Sequence, residues 1–184
     1  MIEEILEYNK NFVKEKKYKN YETDKFPNKK LAVVTCMDTR LVELLPAALG
    51  FKNGDIKLIK NAGGIITNKF GSAVRSLLIG VYELNVQNIM IIGHKECGAK
   101  QVNGLEIERK MIIRGIKKEE IETMKYCGID VENWLGGFDS TSKAIEDTVM
   151  LLRNHPLMPN DVKIGGYLMD PWTGELEVIV DADF

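Results

Sequence analysis

The sequence predicts an α/β fold: a single domain with a central, mainly parallel sheet flanked by helices and an antiparallel edge strand near the C-terminus. Three observations predict it. Short apolar runs, "LAVVTC" (31–36), "DIKLIK" (55–60) and "NIMIIGH" (88–94), have strand length and are bounded by turn chemistry. Helical patterns lie between and beyond them, and that alternation implies a parallel sheet with right-handed crossovers. Finally, "VKIGGYLMD", the turn "PWTG" and "ELEVIV" read as a closing hairpin or edge strand pair.

Taken in order, residues 2–18 place Ile2, Ile5, Leu6, Tyr8, Phe12 and Val13 at roughly helical spacing, which predicts an N-terminal helical arm over 1–25. Its lysines are interspersed with Glu15 and Glu22, the pattern of a solvated helix face rather than a phosphate-binding patch. "KFGSAVRSLLIGVYEL" (69–84) is helical in period and length. Between 105 and 125, Ile107, Met111, Ile112, Ile116 and Ile121 recur at helix-like intervals in a charged context. That stretch reads as a helical excursion whose apolar side chains pack on the core or on another subunit, or form a lid. "STSKAIEDTVMLLRN" opens with Ser and Thr capping candidates, and "HPLMP" ends the helix. His155 at that end reads as a C-terminal cap.

A chain of 184 residues with 45% hydrophobic content buries one substantial core. Its 25 basic and 27 acidic residues leave a formal charge of −2, which supplies no general attraction for nucleic acid or for an anionic membrane. Small molecules and copies of the chain itself are the expected partners. The start, "MIEEILEYNK", lacks the basic patch and apolar run of a signal peptide, and no segment approaches the ~18 apolar residues of a membrane span. A cytoplasmic protein is expected. Three cysteines make a poor disulfide framework, so in a reducing compartment Cys36 and Cys97 point to metal binding or catalysis. Cys127 has no chemical company and reads as structural or incidental.

"VVTCMDTR" (33–40) ends an apolar run on Cys36, Asp38 and Arg40, and "IIGHKECGAK" (91–100) ends another on His94 and Cys97. Ligands of open parallel sheets gather at the carboxyl ends of strands. Two thiolates and one imidazole meeting there can hold Zn²⁺ with three protein ligands and an open fourth position, the layout of a catalytic rather than a structural zinc. Taken singly, each cysteine could be a small core residue and His94 a hydrogen-bonded core histidine. Jointly they would be an odd way to finish two core strands. Asp38 can accept a hydrogen bond from the group at the fourth position, and Arg40 can hold that carboxylate by charge-assisted hydrogen bonds.

"CMDTR", then "NAGG", then "HKECG" resembles the β-class carbonic anhydrases, whose signature is Cys-x-Asp-x-Arg followed by His-x-x-Cys. The likeness runs through "GDIKLIKNAGG", "SAVRSLLIGVYEL" and "GYLMDPWTGEL", roughly residues 30 to 180, and the compact length looks like the shorter microbial branch. The resemblance implies zinc on Cys36, His94 and Cys97, a catalytic dyad of Asp38 and Arg40, and reversible hydration of carbon dioxide to bicarbonate. It also implies a homodimer or larger assembly with part of the cleft at a subunit contact. Lys60 stands where many members carry arginine before "NAG". Gly63 and Gly64 either present a backbone N–H to bicarbonate or make a tight turn.

The nearest rival reaction is attack on carbonyl sulfide or carbon disulfide, which the ligand set alone does not separate from carbon dioxide hydration. A cysteine phosphatase would need arginine six residues after cysteine, where Val42 stands. A non-catalytic zinc protein would have no use for Asp38 and Arg40.

Overall fold

In the computed structural model, which describes residues 1–182, five strands hydrogen-bond into one sheet. β1 (Leu31–Cys36), β2 (Ile56–Asn61), β3 (Asn88–His94) and β4 (Lys163–Met169) are parallel, and β5 (Leu176–Val180) lies antiparallel beside β4. The helices are α1 (Ile2–Lys14), α2 (Leu41–Ala48), α3 (Ser72–Glu83), α4 (Gly104–Ile113), α5 (Lys118–Tyr126), α6 (Val131–Leu135) and α7 (Thr141–Arg153). The α/β class, the mainly parallel sheet and the antiparallel edge are therefore as the sequence predicts.

Strand order is β2-β1-β3-β4-β5. From β1 the chain steps to β2 on one side, whereas from β3 it steps to β4 on the other. The connections leaving β1 and β3 diverge, so the carboxyl ends of these two neighbours flank the switch point where open α/β sheets bind ligands. Cys36 and His94 occupy those two ends.

Alternation along the strands divides the side chains between two cores. Ala32, Val34, Ile89, Ile91 and Ile164 face α3 and α7, meeting Val74, Leu77, Ile145 and Leu152. Leu31, Val33, Ile92 and Met169 face α2, meeting Leu41 and Leu45. All six residues of β1 are buried, as a strand covered on both faces requires. Each fully buried Leu or Ile contributes about 1.5–3 kcal/mol relative to exposure. A Cβ at Gly93 or Gly166 would lie 2.9 or 2.5 Å from the Ile145 side chain, so these glycines let α7 seat directly on the sheet.

The helices differ from the sequence reading in four places, one of them α6, which it does not mark. α2 escapes the periodicity reading because it is short and carries Pro46, and it forms because Leu41 and Leu45 bury against the sheet. The excursion over 105–125 is two helices, broken where Gly115 takes φ 97°. Ser140 does cap α7, accepting the Lys143 N–H at 3.3 Å, but the His155 side chain is not a cap. It is buried beyond the helix end, with Nε2 3.0 Å from the Lys69 carbonyl and Nδ1 accepting the Leu157 N–H at 3.2 Å. The ring therefore clamps the loop before α3 to the end of α7.

Candidate active site

β1 ends at Cys36 and the chain turns at once. Asp38 Oδ1 accepts the Arg40 backbone N–H at 2.9 Å, a side-chain turn that leads into α2. The same turn folds the guanidinium back onto the carboxylate, with Nε donating to Oδ1 at 3.1 Å and Nη2 to Oδ2 at 2.9 Å. This is a bidentate fork, the strongest arrangement available to such a pair. The spacing of Cys36, Asp38 and Arg40 thus serves a turn rather than a strand pleat.

At the end of β3, the His94 ring is fully buried. Its Nδ1 lies 2.8 Å from the Lys95 carbonyl. A carbonyl only accepts, so Nδ1 carries the proton and Nε2 presents a lone pair. That Nε2 is buried with no hydrogen-bond partner among the described residues. Glu96 then takes φ 54°, reversing the chain so that Cys97 returns to the site, its Sγ 3.7 Å from Cys36 Sγ. The ligand atoms of Cys36, His94 and Cys97 all lie within 4.8 Å of one another.

A buried imidazole nitrogen without a partner would be costly in a core. Beside two buried thiols it completes a donor set that could hold a metal ion, and the carbonyl on Nδ1 is the outer contact that would fix such a ligand's tautomer. The residues therefore fit a metal ion. The charges agree: the Cys97 thiol, then His94 and the Asp38 and Gly63 backbone N–H groups, pull Cys36 down to about 4 against the opposing cost of burial. Cys97 is pushed up, chiefly because its thiol proton is held by Cys36. Burial works against a charged His94, but the neighbouring Cys36 and the Lys95 carbonyl outweigh it and leave its pKa raised. A cation among these donors lets both thiols ionise together. Asp38 is drawn down to about 2, first by its side-chain hydrogen bonds from Arg40, so its oxygens are acceptors at neutral pH.

Asp38 Oδ2 lies 3.7 Å from His94 Nε2, which puts the carboxylate beside the donor cluster. Both belong to a site whose cavity, about 500 Å³, is lined by Cys36, Asp38, Arg40, Gly63, Ala99 and Val102. Gly63 and Gly64 both have positive φ, 82° and 68°, which favours glycine. A Cβ on Gly64 would lie 2.7 Å from Cys36 N, so its absence lets the turn after β2 press on the end of β1. Gly63 lines the cavity, and its N–H is directed at Cys36. Lys60 pairs with Thr35 in the β1–β2 register. Cys127 is exposed at the end of α5, outside this cluster.

Sequence reasoning missed Glu96 and Trp172, which close around Arg40. Glu96 lies inside His-x-x-Cys, and Trp172 lies in a turn read only as a hairpin connection, so neither carried a separate chemical signal.

A family model described as carbonic anhydrase matches residues 31–176. The Bacillus subtilis carbonic anhydrase homologue YtiB is 46% identical over 181 residues, covering 98% of this chain and 97% of its own length. A carbon disulfide hydrolase from Acidianus is 30% identical over 161 residues, 81% of this chain and 76% of that protein. Among solved structures, β-carbonic anhydrase isoform I of Trichomonas vaginalis superposes with a TM-score of 0.87 at 34% identity, covering 100% of this chain and 99% of that one. With the switch-point cluster, the Asp38–Arg40 fork and these matches in agreement, the chain belongs to the β-carbonic anhydrase family.

Proposed function

We propose that this chain is a zinc enzyme catalysing the reversible hydration of carbon dioxide to bicarbonate and a proton. The observation that carries the reading is the Asp38–Arg40 fork beside three convergent metal donors. Cys36, His94 and Cys97 would hold the zinc. When bound, zinc supplies Lewis acidity and lowers the pKa of water into the neutral range.

The chain's own residues do the rest. Asp38, held in place by Arg40, accepts the hydrogen of the attacking water and so fixes which lone pair faces the carbon. Its anchoring by two guanidinium bonds and the Arg40 backbone N–H keeps that acceptor in one orientation. Ala99 and Val102 give the cavity an apolar wall that suits a small gas and excludes extra water. Gly63 lines the cavity where bicarbonate would bind, and Gly64 makes the tight turn that packs it against the end of β1.

A second reaction, hydrolysis of carbonyl sulfide or carbon disulfide, draws support from the Acidianus relative's named activity. Rates for the three gases, measured in parallel on zinc-loaded protein, separate the two readings. Carbon dioxide is expected to be turned over fastest; carbon disulfide turnover without carbon dioxide hydration would replace the first reading with the second.

We also propose that the protein works as a homodimer or larger homo-oligomer. α1 buries no side chain in its own chain, leaving Ile2 71%, Ile5 62% and Leu6 57% exposed. A second copy covering this face would remove that apolar area from water. Sedimentation is expected to show at least a dimer. An Ile5→Asp, Leu6→Glu double variant should weaken it about 100-fold or more, since a symmetric contact carries each change twice. A fully active monomer at assay concentration would contradict the proposal. No helix among the described residues is long and apolar enough to cross a membrane. The free thiols support a reducing compartment, and we place the protein in the cytoplasm.

A further inference from the structure

Arg40 is gripped on its outer side as well as by Asp38. Nη1 donates to Glu96 Oε2 at 3.4 Å, and Nη2 donates to the Glu96 carbonyl at 3.3 Å. The Trp172 ring centroid lies 5.2 Å from the Arg40 guanidinium carbon. The indole Nε1 donates to the same Glu96 Oε2 at 3.2 Å. Guanidinium, carboxylate and indole form a closed triangle in which each group touches the other two.

The turn carrying Trp172 is built to hold it there. Asp170 Oδ1 accepts the backbone N–H groups of Trp172 at 2.9 Å and Thr173 at 3.1 Å. Lys95 Nζ sits 3.5 Å from Asp170 Oδ2, tying the turn to the loop that follows β3. A Cβ at Gly174 would fall 2.6 Å from Ala48 Cβ, so the β4–β5 turn also packs on α2, the helix that follows Arg40.

Taking the proposed roles of Asp38 and Arg40, we infer that Glu96 and Trp172 are positioning residues for the reaction, holding the Arg40 guanidinium in the orientation that keeps both of its donors on Asp38. An arginine on a half-exposed helix start has many rotamers, and freezing it in one costs entropy. Asp38 alone fixes one edge of the guanidinium. The indole restrains its face and Glu96 its Nη1–Nη2 edge, so rotation toward solvent must break the triangle as well as the fork. Each outer contact is weak alone at this exposure, which makes the joint restraint the operative feature. Neither residue lines the cavity, so their loss lowers the fraction of chains with Asp38 aligned and leaves substrate binding alone.

Two readouts test the inference. Trp172→Leu and Glu96→Ala should each lower kcat for carbon dioxide about threefold to fivefold, with KM, zinc content and thermal midpoint at wild-type values. Trp172→Phe, which keeps the ring face, should retain at least about half of the rate. The second readout needs no activity: heteronuclear NMR should show the Arg40 Nε–H exchanging with water about threefold to fivefold faster in Trp172→Leu and Glu96→Ala, and near the wild-type rate in Trp172→Phe. Should Trp172→Leu fail to fold, Glu96→Ala and Glu96→Gln carry the same test. Wild-type exchange in Glu96→Ala overturns the inference, whatever the chain's activity. Equal losses in Trp172→Phe and Trp172→Leu, accompanied by a lowered thermal midpoint, also overturn it by assigning Trp172 to turn packing. Faster exchange in a chain that hydrates no carbon dioxide would instead remove the functional reading and leave the positioning role standing.

Discussion

Cys36→Ala, Cys97→Ala and His94→Ala proteins are each expected to lose both zinc and carbon dioxide hydration, the rate falling to that of buffer. Three donors whose ligand atoms lie within 4.8 Å of one another form a site only as a set, and two remaining donors hold zinc far less tightly. The fold should survive. Cys36 and Cys97 are small, and removing the His94 ring deletes a buried nitrogen that has no hydrogen-bond partner among the described residues. Cys127→Ala is the internal control, because an exposed thiol outside the cluster should change neither quantity. Metal content by mass spectrometry and hydration by stopped flow check the prediction. Full zinc occupancy in both the Cys36→Ala and Cys97→Ala proteins would refute the assignment.

Arg40→Ala is expected to cost about 100-fold in kcat while the protein keeps its fold and most of its zinc, the scale of losing an outer contact that orients a metal site. No zinc donor is touched. Without the guanidinium, the Asp38 pKa rises from about 2 toward its ordinary 3.8, and the carboxylate is still ionised at neutral pH. The loss is one of orientation rather than charge, so it should be uniform from about pH 6 to about pH 9, either side of the pKa of metal-activated water. The linkage sign follows from the depressed value: stability that the pair gives the folded chain is present above pH 3.8 and is lost as pH falls through about 2. A wild-type rate for Arg40→Ala throughout the neutral range would remove the pair from the mechanism.

The site was legible in the sequence to the extent that its chemistry is local. Cys36, Asp38 and Arg40 are close in sequence because one turn uses all three, and His94 and Cys97 because one reversal at Glu96 brings them together. What joined the two segments was the rule that neighbouring strands with divergent connections share a binding crevice, and β1 and β3 obey it. The outer grip on Arg40 was not legible. Glu96 and Trp172 stand 76 residues apart, and only the parallel β3–β4 register followed by the β4–β5 turn brings them together. A tryptophan in a hairpin turn looks like any exposed aromatic until its neighbour is known.

Two other residues show why pattern reading fell short elsewhere. His155 sits where a helix ends, so its position suited a cap. Burial turned it instead toward the Lys69 carbonyl, a partner 86 residues away. Pro46 disfavours a helix over Leu41–Ala48, yet Leu41 and Leu45 are buried beneath the sheet and tertiary packing outweighs local propensity. α1 is the opposite case. Its period was plain from Ile2, Ile5 and Leu6, but among the described residues of one chain they stay largely exposed.

Carbon dioxide hydration, followed by stopped flow while zinc is returned stepwise to chelator-treated protein, tests most directly whether Cys36, His94 and Cys97 make this chain a carbonic anhydrase. The rate should rise in proportion to bound zinc and level off at about one ion per chain, the stoichiometry of a single three-donor site. A chain that takes up its zinc and still hydrates carbon dioxide no faster than buffer would contradict the assignment.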